Sequence, residues 1–152
     1  MSLATATPPC ERAVTFMIGG ERYGVSVDRV QEVQRIVAFA GAPTHSKSVV
    51  GMVNVRGAIV PVIDMRVVAG VEAPALTAET PMLICLAEEQ LVALIVDEVE
   101  DVRSLPDARI RRVPRLHPLA AQTLGTCRCD DSLVYLLDVE AVVARAGACE
   151  VA

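Results

Sequence analysis

The 152-residue chain carries one pattern twice, and a duplicated pattern restricts the fold more tightly than composition does. Residues 51–64 read Gly-Met-Val-Asn-Val-Arg-Gly-Ala-Ile-Val-Pro-Val-Ile-Asp, and residues 125–138 read Gly-Thr-Cys-Arg-Cys-Asp-Asp-Ser-Leu-Val-Tyr-Leu-Leu-Asp, at a constant offset of 74. Each passes from a glycine through a short alternating strand, a polar two-residue turn and an apolar strand to an Asp that opens an apolar, helix-like stretch. Upstream, Gly24-Val-Ser-Val-Asp-Arg-Val-Gln-Glu-Val33 is echoed by Ala93-Leu-Ile-Val-Asp-Glu-Val-Glu-Asp-Val102 at an offset of 69. Two ordered matches at nearly one spacing predict two small subdomains of the same architecture. A duplicated β module without catalytic residues is a surface for holding partners.

Apolar runs and turn residues give the elements. Strands at 13–18 and 23–27 flank Gly19-Gly20-Glu21-Arg22, a hairpin turn. Asp28 is expected to cap a turn of helix, since Val30 and Val33 recur at helical spacing. A loop through Pro43, His45 and Ser46 leads to strands 49–55 and 58–63, paired across Arg56-Gly57. Pro61 restricts the second of these to an edge or a bulge. Asp64 caps a helix at 65–69, which Gly70 ends. The proline-bearing stretch 71–81 reads as a linker between a subdomain at 12–70 and another at 81–137. In the second half, strands 82–86 and 91–96 pair across Ala87-Glu88-Glu89-Gln90, and an acidic segment follows at 97–102. A loop from Leu105 to Pro118 carries Arg109, Arg111, Arg112 and Arg115. A hairpin of 123–129 and 133–137 leads to Asp138 and a closing helix at 139–146, stopped by Gly147. Residues 1–11 read as a disordered tail and 147–152 as a second tail. Short strands, tight turns and brief helices predict a mainly β fold of two small barrels.

The same residues exclude several functions. A net charge of −5 and only 3% aromatics (Phe16, Tyr23, Phe39, Tyr135) leave no basic, stacking groove for nucleic acid. No apolar run reaches the roughly 18 residues of a membrane span, and no signal-peptide core opens the chain, so a cytoplasmic protein is expected. Of five cysteines (Cys10, Cys85, Cys127, Cys129, Cys149), Cys127 and Cys129 align with Val53 and Val55 and face one way on a strand, which predicts core packing. With His45 and His117 both in loops, neither a metal site nor a cofactor is expected. There is no phosphate-cradling loop, nucleophile elbow or helical His pair, and therefore no enzyme is expected. Asp97, Glu98, Glu100 and Asp101 read as a solvated rim, because Val99 and Val102 interrupt them. Arg56 is the residue least accounted for by folding: Asn would serve the turn better, and Asp130 reverses its charge in the repeat.

Asn54-Val-Arg-Gly-Ala-Ile-Val-Pro-Val-Ile-Asp-Met-Arg66 closely resembles the Asn-Leu-Arg-Gly-x-Ile-x-Pro-Val-x-Asp-Leu-Arg signature of CheW-like domains. Tyr23-Gly-Val-x-Val-x-x-Val-Gln-Glu-Val33, Ile95-Val-Asp-Glu-Val-Glu-Asp-Val102 and the stretch from Leu124-Gly125 to Asp138 resemble three further blocks of that family, so the likeness spans about 12–146. The resemblance implies two five-stranded SH3-like β-barrels around a shared core, with short helices including a C-terminal one. It implies a non-enzymatic adaptor joining the cytoplasmic tip of a chemoreceptor to the regulatory domain of a CheA-type histidine kinase, recruited to membrane-associated receptor arrays without inserting in the membrane. Carried over by motif, the receptor groove holds Val30, Arg56, Gly57 and Val102, with Gly51 nearby, and Glu32 meets the kinase. The strand Val49-Val-Gly-Met52 lacks the charged residue that family members often carry before this glycine. A reading of another class, a small-ligand or regulatory sensor using the inter-barrel groove, would need convergent polar groups there.

Overall fold

The computed structural model describes residues 12–36, 47–72, 75–105, 111–129 and 131–147. The two expected tails (apart from Gly147), the loop at 43–46, Arg109 and Asp130 lie outside these residues. Ten strands form two five-stranded sheets. In chain order they are β1 (Arg12–Ile18), β2 (Glu21–Ser26), β3 (Val30–Arg35), β4 (Val49–Val55), β5 (Ala58–Asp64), β6 (Pro81–Ala87), β7 (Gln90–Ile95), β8 (Glu98–Ser104), β9 (Thr123–Cys129) and β10 (Ser132–Leu137). Helix α1 (Met65–Ala69) follows β5, and α2 (Val139–Ala146) follows β10.

One sheet has the order β8-β1-β2-β10-β9 and the other β3-β6-β7-β5-β4. Advancing every strand number by five converts the first order into the second, so the repeat read from sequence is a repeat of topology. The sheets do not follow the division at 71–81, however. Each half of the chain gives its first hairpin to one sheet and its last three strands to the other. The expected subdomains at 12–70 and 81–137 are therefore halves of the sequence but not separate sheets. Parallel pairing of β2 with β10, and of β5 with β7, joins the contributions.

This exchange explains the unbroken apolar runs. On β6 and β7, Met82, Ile84, Ala93 and Ile95 join Val53, Val55, Val60 and Val62 inside one sheet. Leu83, Cys85, Val92, Leu94 and Val96 point the other way, into a core that also takes Phe16, Ile18, Tyr23, Val25 and α2. Strands buried on both faces need no alternation of apolar and polar residues. A third cluster of Ala13, Leu105, Cys127, Cys129, Val134 and Leu136 fills the other sheet. Its members Cys127, Cys129, Val134 and Leu136 are the repeat mates of Val53, Val55, Val60 and Val62, so the two cysteines pack as expected. Each sheet also curls until its outer strands approach: Cys129 Sγ on β9 donates to the Ser104 carbonyl of β8, and Arg56 beyond β4 pairs with Glu32 of β3.

The helix caps fall largely where the sequence put them. Asp64 accepts from the Arg66 N–H and Asp138 from the Ala141 N–H, while Gly70 and Gly147 end the helices. Asp28 is the exception: Val27–Arg29 is a single 3-10 turn capped by the Ser26 hydroxyl, and Val30 starts a strand. From Glu98 onward the acidic segment at 97–102 is likewise strand, forming most of β8. A register shift opposite β3 and a matching one opposite β8 set Val30 and Val33 against Cys85 and Leu83, and Val99 and Val102 against Phe16 and Val14. A bulge lets residues three apart face the same way, which imitates helical spacing. Pro61 meets one of its two alternatives: β5 lies inside its sheet and not at an edge, but a register shift with β4 follows directly after the next pair, Gly51 with Val62. Pairing with β7 begins only at Val62, so the missing proline N–H leaves that ladder intact.

Polar ties cross between the sheets at repeat-related places. The Gly19 N–H donates to Asp97 Oδ2 at 2.8 Å, and Asp97 faces Arg66 of α1, itself bonded to Asp64 through Nε at 3.0 Å. At the mate of that turn, the Glu88 N–H donates to Glu140 Oε2 of α2 at 2.9 Å, and Arg29 pairs with Glu140. The helix supplies the cation in one tie and the anion in the other.

Two outcomes follow from this packing. Leu136→Ala and Ile84→Ala, one in each sheet's interior, should each cost about 2–5 kcal/mol and shift a single unfolding transition followed by circular dichroism and fluorescence. Two separate transitions would contradict the exchanged architecture. Arg66→Ala leaves the Asp64 carboxylate buried without its guanidinium and should cost about 3 kcal/mol in urea denaturation.

Candidate functional site

The bulged strands β3 and β8 stand at the outer margins of their sheets, and there the shared core runs out to the surface. Val30 and its mate Val99 pack against that core from its edge. One bulge further on, Val33 and its mate Val102 are 46% and 50% exposed. Between the two strands an open groove of about 350 Å³ is lined by Val33, Gln34, Arg35, Glu79, Pro81, Asp97, Glu98 and Val99. Its charges are largely matched: Arg35 pairs with Glu79 at 3.0 Å, and Asp97 is engaged by Gly19 and Arg66.

Glu32 and Gln34 lie opposite Ile84 and Met82, on the other face of β3 from Val33. There Glu32 accepts from Arg56 Nε and from Gln34 Nε2, each at 2.9 Å. These bonds, Arg56's first and Gln34's second, hold the Glu32 carboxyl below its ordinary range, while Glu32 raises the Arg56 guanidinium. Arg56 and Gly57 turn β4 into β5 with φ of 51° and 89°. Two consecutive left-handed residues suit the twist of a tight hairpin; Gly57 adopts that conformation freely, whereas arginine does so reluctantly. Asn54 Oδ1 secures the turn by accepting from the Gly57 N–H at 2.9 Å. Arg56 remains 76% exposed, and its bond to Glu32 is made through Nε.

The structure therefore unites some expected site residues and separates others. Arg56, Gly57 and Glu32 form one polar group, although Arg56 and Glu32 were assigned to different partners. Val30 and Val102 lie on different sheets: Val30 packs against the common core, whereas Val102 is half exposed on β8. Gly51 is buried in β4 opposite Val62, beside a register shift, and contributes backbone rather than groove surface. Sequence reasoning passed over Val33, Gln34, Val99 and Glu98. The 69-residue offset was the available signal, because it makes Val33 the mate of Val102 and Val99 the mate of Val30.

The fold and the sequence have counterparts among known proteins. The CheW-like domain profile matches residues 12–147. The chain is 32% identical over 130 residues to the chemotaxis protein CheW of Klebsiella aerogenes, covering 82% of this chain and 76% of that one. It is 30% identical over 104 residues to the chemotaxis protein CheW of Bacillus subtilis, covering 68% and 67%. The crystal structure of the scaffolding protein TtCheW from Thermoanaerobacter tengcongensis superposes with a TM-score of 0.75 at 26% identity, over 86% of each chain.

The Glu32 carboxyl supplies a test of the polar group. Its lowered folded value means that the pair favours the folded state at neutral pH, only slightly because solvent screens so exposed a pair, and that this small contribution fades as pH falls through the depressed value. In a carboxyl-carbon NMR titration, Arg56→Ala should return Glu32 toward the ordinary carboxylate range, and an unmoved titration would deny the coupling. With residues 12–147 matched and the same fold in a solved relative, the chain belongs to the CheW-like family.

Proposed function

We propose that the chain is a chemotaxis adaptor coupling the cytoplasmic tip of a chemoreceptor to the regulatory domain of a CheA-type histidine kinase. Membership of a scaffold family makes it a non-enzymatic protein that works by holding partners together. The observation that carries the reading is the paired exposure of Val33 and Val102, where the shared core reaches solvent along two edge strands. A helical hairpin tip brings a complementary apolar ridge to such a groove, and a few fixed polar groups set its register. In this reading Val30, Val33, Val99 and Val102 form the apolar floor for the receptor. Arg56, presented by Gly57 and largely exposed, offers its terminal nitrogens to a receptor carboxylate or carbonyl in a charge-assisted hydrogen bond. Glu32 fixes the Arg56 side chain and reaches the kinase domain from the same polar group, with Gly51 contributing only backbone nearby.

The small-ligand sensor is not favoured. The polar groups of the groove are already engaged with one another, and relatives across most of the chain's length are chemotaxis proteins.

Arg56→Ala should weaken binding to a receptor cytoplasmic fragment by about tenfold while leaving the thermal midpoint almost unchanged. Paired pull-down and calorimetric titration with receptor and kinase fragments read both quantities. Val33→Asp with Val102→Asp should abolish receptor binding and spare folding, since both side chains are half exposed. Full receptor binding by that double variant would move the receptor elsewhere on the molecule.

A further inference from the structure

The two halves of the molecule part company where α1 and α2 begin. At the start of α1 the Arg66 side chain, only 5% exposed, lies between two aspartates. Its Nε and Nη2 meet the two oxygens of Asp64 at 3.0 and 3.3 Å, and its Nη1 stands 3.6 Å from Asp97 Oδ1. Asp64 holds the guanidinium while capping its helix, since Oδ1 also accepts from the Arg66 N–H. One planar cation is thus forked onto one carboxylate and shared with a second.

The mates of both aspartates are kept at the start of α2. Asp138 is the mate of Asp64 at the offset of 74 and caps its helix through Oδ1, and Asp28 is the mate of Asp97 at the offset of 69. The mate of Arg66 is Glu140, which is drawn aside: its Oε2 accepts from the Glu88 N–H and pairs with Arg29. Arg29 is itself taken up by Glu140 and by the Leu86 carbonyl at 3.2 Å. Where Arg66 fills one half, the other half has a cavity of about 400 Å³. Asp28 and Asp138 line it, with Val25, Leu124, Leu136 and Leu137 as apolar walls. Asp28 is exposed, and among the described residues no hydrogen bond engages its carboxylate; its turn is capped by the Ser26 hydroxyl, which accepts from the Asp28 N–H. Two carboxylates beside a cavity would by themselves indicate nothing in particular. Here their mates, one repeat away, hold a guanidinium in the corresponding place.

We propose that the cavity between Asp28 and Asp138 binds the guanidinium group of a ligand, in the place that Arg66 takes in the other half. Asp138 and Asp28 share the cation as Asp64 and Asp97 do, and the aliphatic chain behind it runs along Leu124 and Leu136. A compact cation such as an ammonium group satisfies the charge but not the fork. The guanidinium belongs either to a small solute related to arginine or to an arginine side chain of a peptide, and the recognition chemistry is the same for both. The cavity lies outside the groove, and nothing in the proposal rests on the adaptor reading.

Amide NMR of the full chain, titrated with ethylguanidinium chloride, tests it. Shifts should concentrate at residues 25–29, 124 and 136–140 and saturate with a dissociation constant of about 1 mM, the strength of one small ion-paired contact. Ethylammonium chloride at the same ionic strength should bind at least about tenfold more weakly. Asp28→Asn should weaken ethylguanidinium binding at least about tenfold with an unchanged circular dichroism melt, because folding makes no use of that carboxylate. Asp138→Asn should do the same to binding while leaving a residue able to cap α2. Glu140→Arg returns the repeat's own arginine to the cavity and should abolish binding; if that variant does not fold, Asp28→Asn decides alone. Free L-arginine and an acetylated, amidated Gly-Arg-Gly peptide separate the sources. Tighter binding of the amino acid assigns the site to a small solute, and tighter binding of the peptide assigns it to a partner's side chain. Shifts no different from those given by sodium chloride would overturn the proposal. So would ethylammonium binding as tight as ethylguanidinium, or binding undiminished by Asp28→Asn.

Discussion

Neither half of this chain can bury its own strands. The first hairpin of each half finds its remaining partners only among the last three strands of the other. Every strand from β5 to β7 is consequently pressed between a sheet interior and the common core, and hydrophobic burial is maximised on both faces at once. The predominance of Val, Ile, Leu and Ala follows from that arrangement, as does the choice of cysteine where a small apolar side chain fits beneath a neighbouring strand. Gly24 marks a tight point within the exchanged sheet: a Cβ there would stand 3.2 Å from Val134 and 3.3 Å from Ala13. The site depends on the same exchange, because the margins of the common core are the edges of two different sheets.

The matching bulges on β3 and β8 turn a buried core into a usable surface. Without the extra residue, strict alternation would send Val33 and Val102 to the opposite face from Val30 and Val99. With it, each edge strand carries two valines in line, one against the core and one half in water. On the reverse face of β3, Glu32 and Gln34 hold an arginine at the tip of a hairpin that would otherwise swing freely. Apolar floor and polar post are thus presented by the two faces of one strand.

Much of this was legible in the sequence, and the failures have identifiable causes. The duplication, the hairpins, the Asp64 and Asp138 caps and the inward-facing Cys127 and Cys129 all depend on local spacing, which sequence records. The exchange of strands between halves depends on which apolar faces meet, and similar valine-rich runs do not encode their partners. Val30 and Val33 imitate a helix because a bulge gives them its spacing. Of the two positions expected for Pro61, the edge failed and the neighbouring register shift held, with the missing donor beside a stretch that β7 leaves unpaired. The bond between Arg56 and Glu32 joins residues 24 apart, beyond the reach of any local pattern, although the unusual arginine in the turn drew attention to one of the two.

The two ties between turn and helix carry a further meaning. Backbone and topology give the molecule nearly twofold symmetry, yet Arg66 stands where Glu140 stands in the other half. Reversing the sign of a buried-edge charge makes the two ends chemically unlike while leaving their shapes alike. A body of that kind has a direction. Threaded into any row of similar neighbours, it can be counted from left to right, and an assembly built from it inherits an orientation that its outline alone would never reveal.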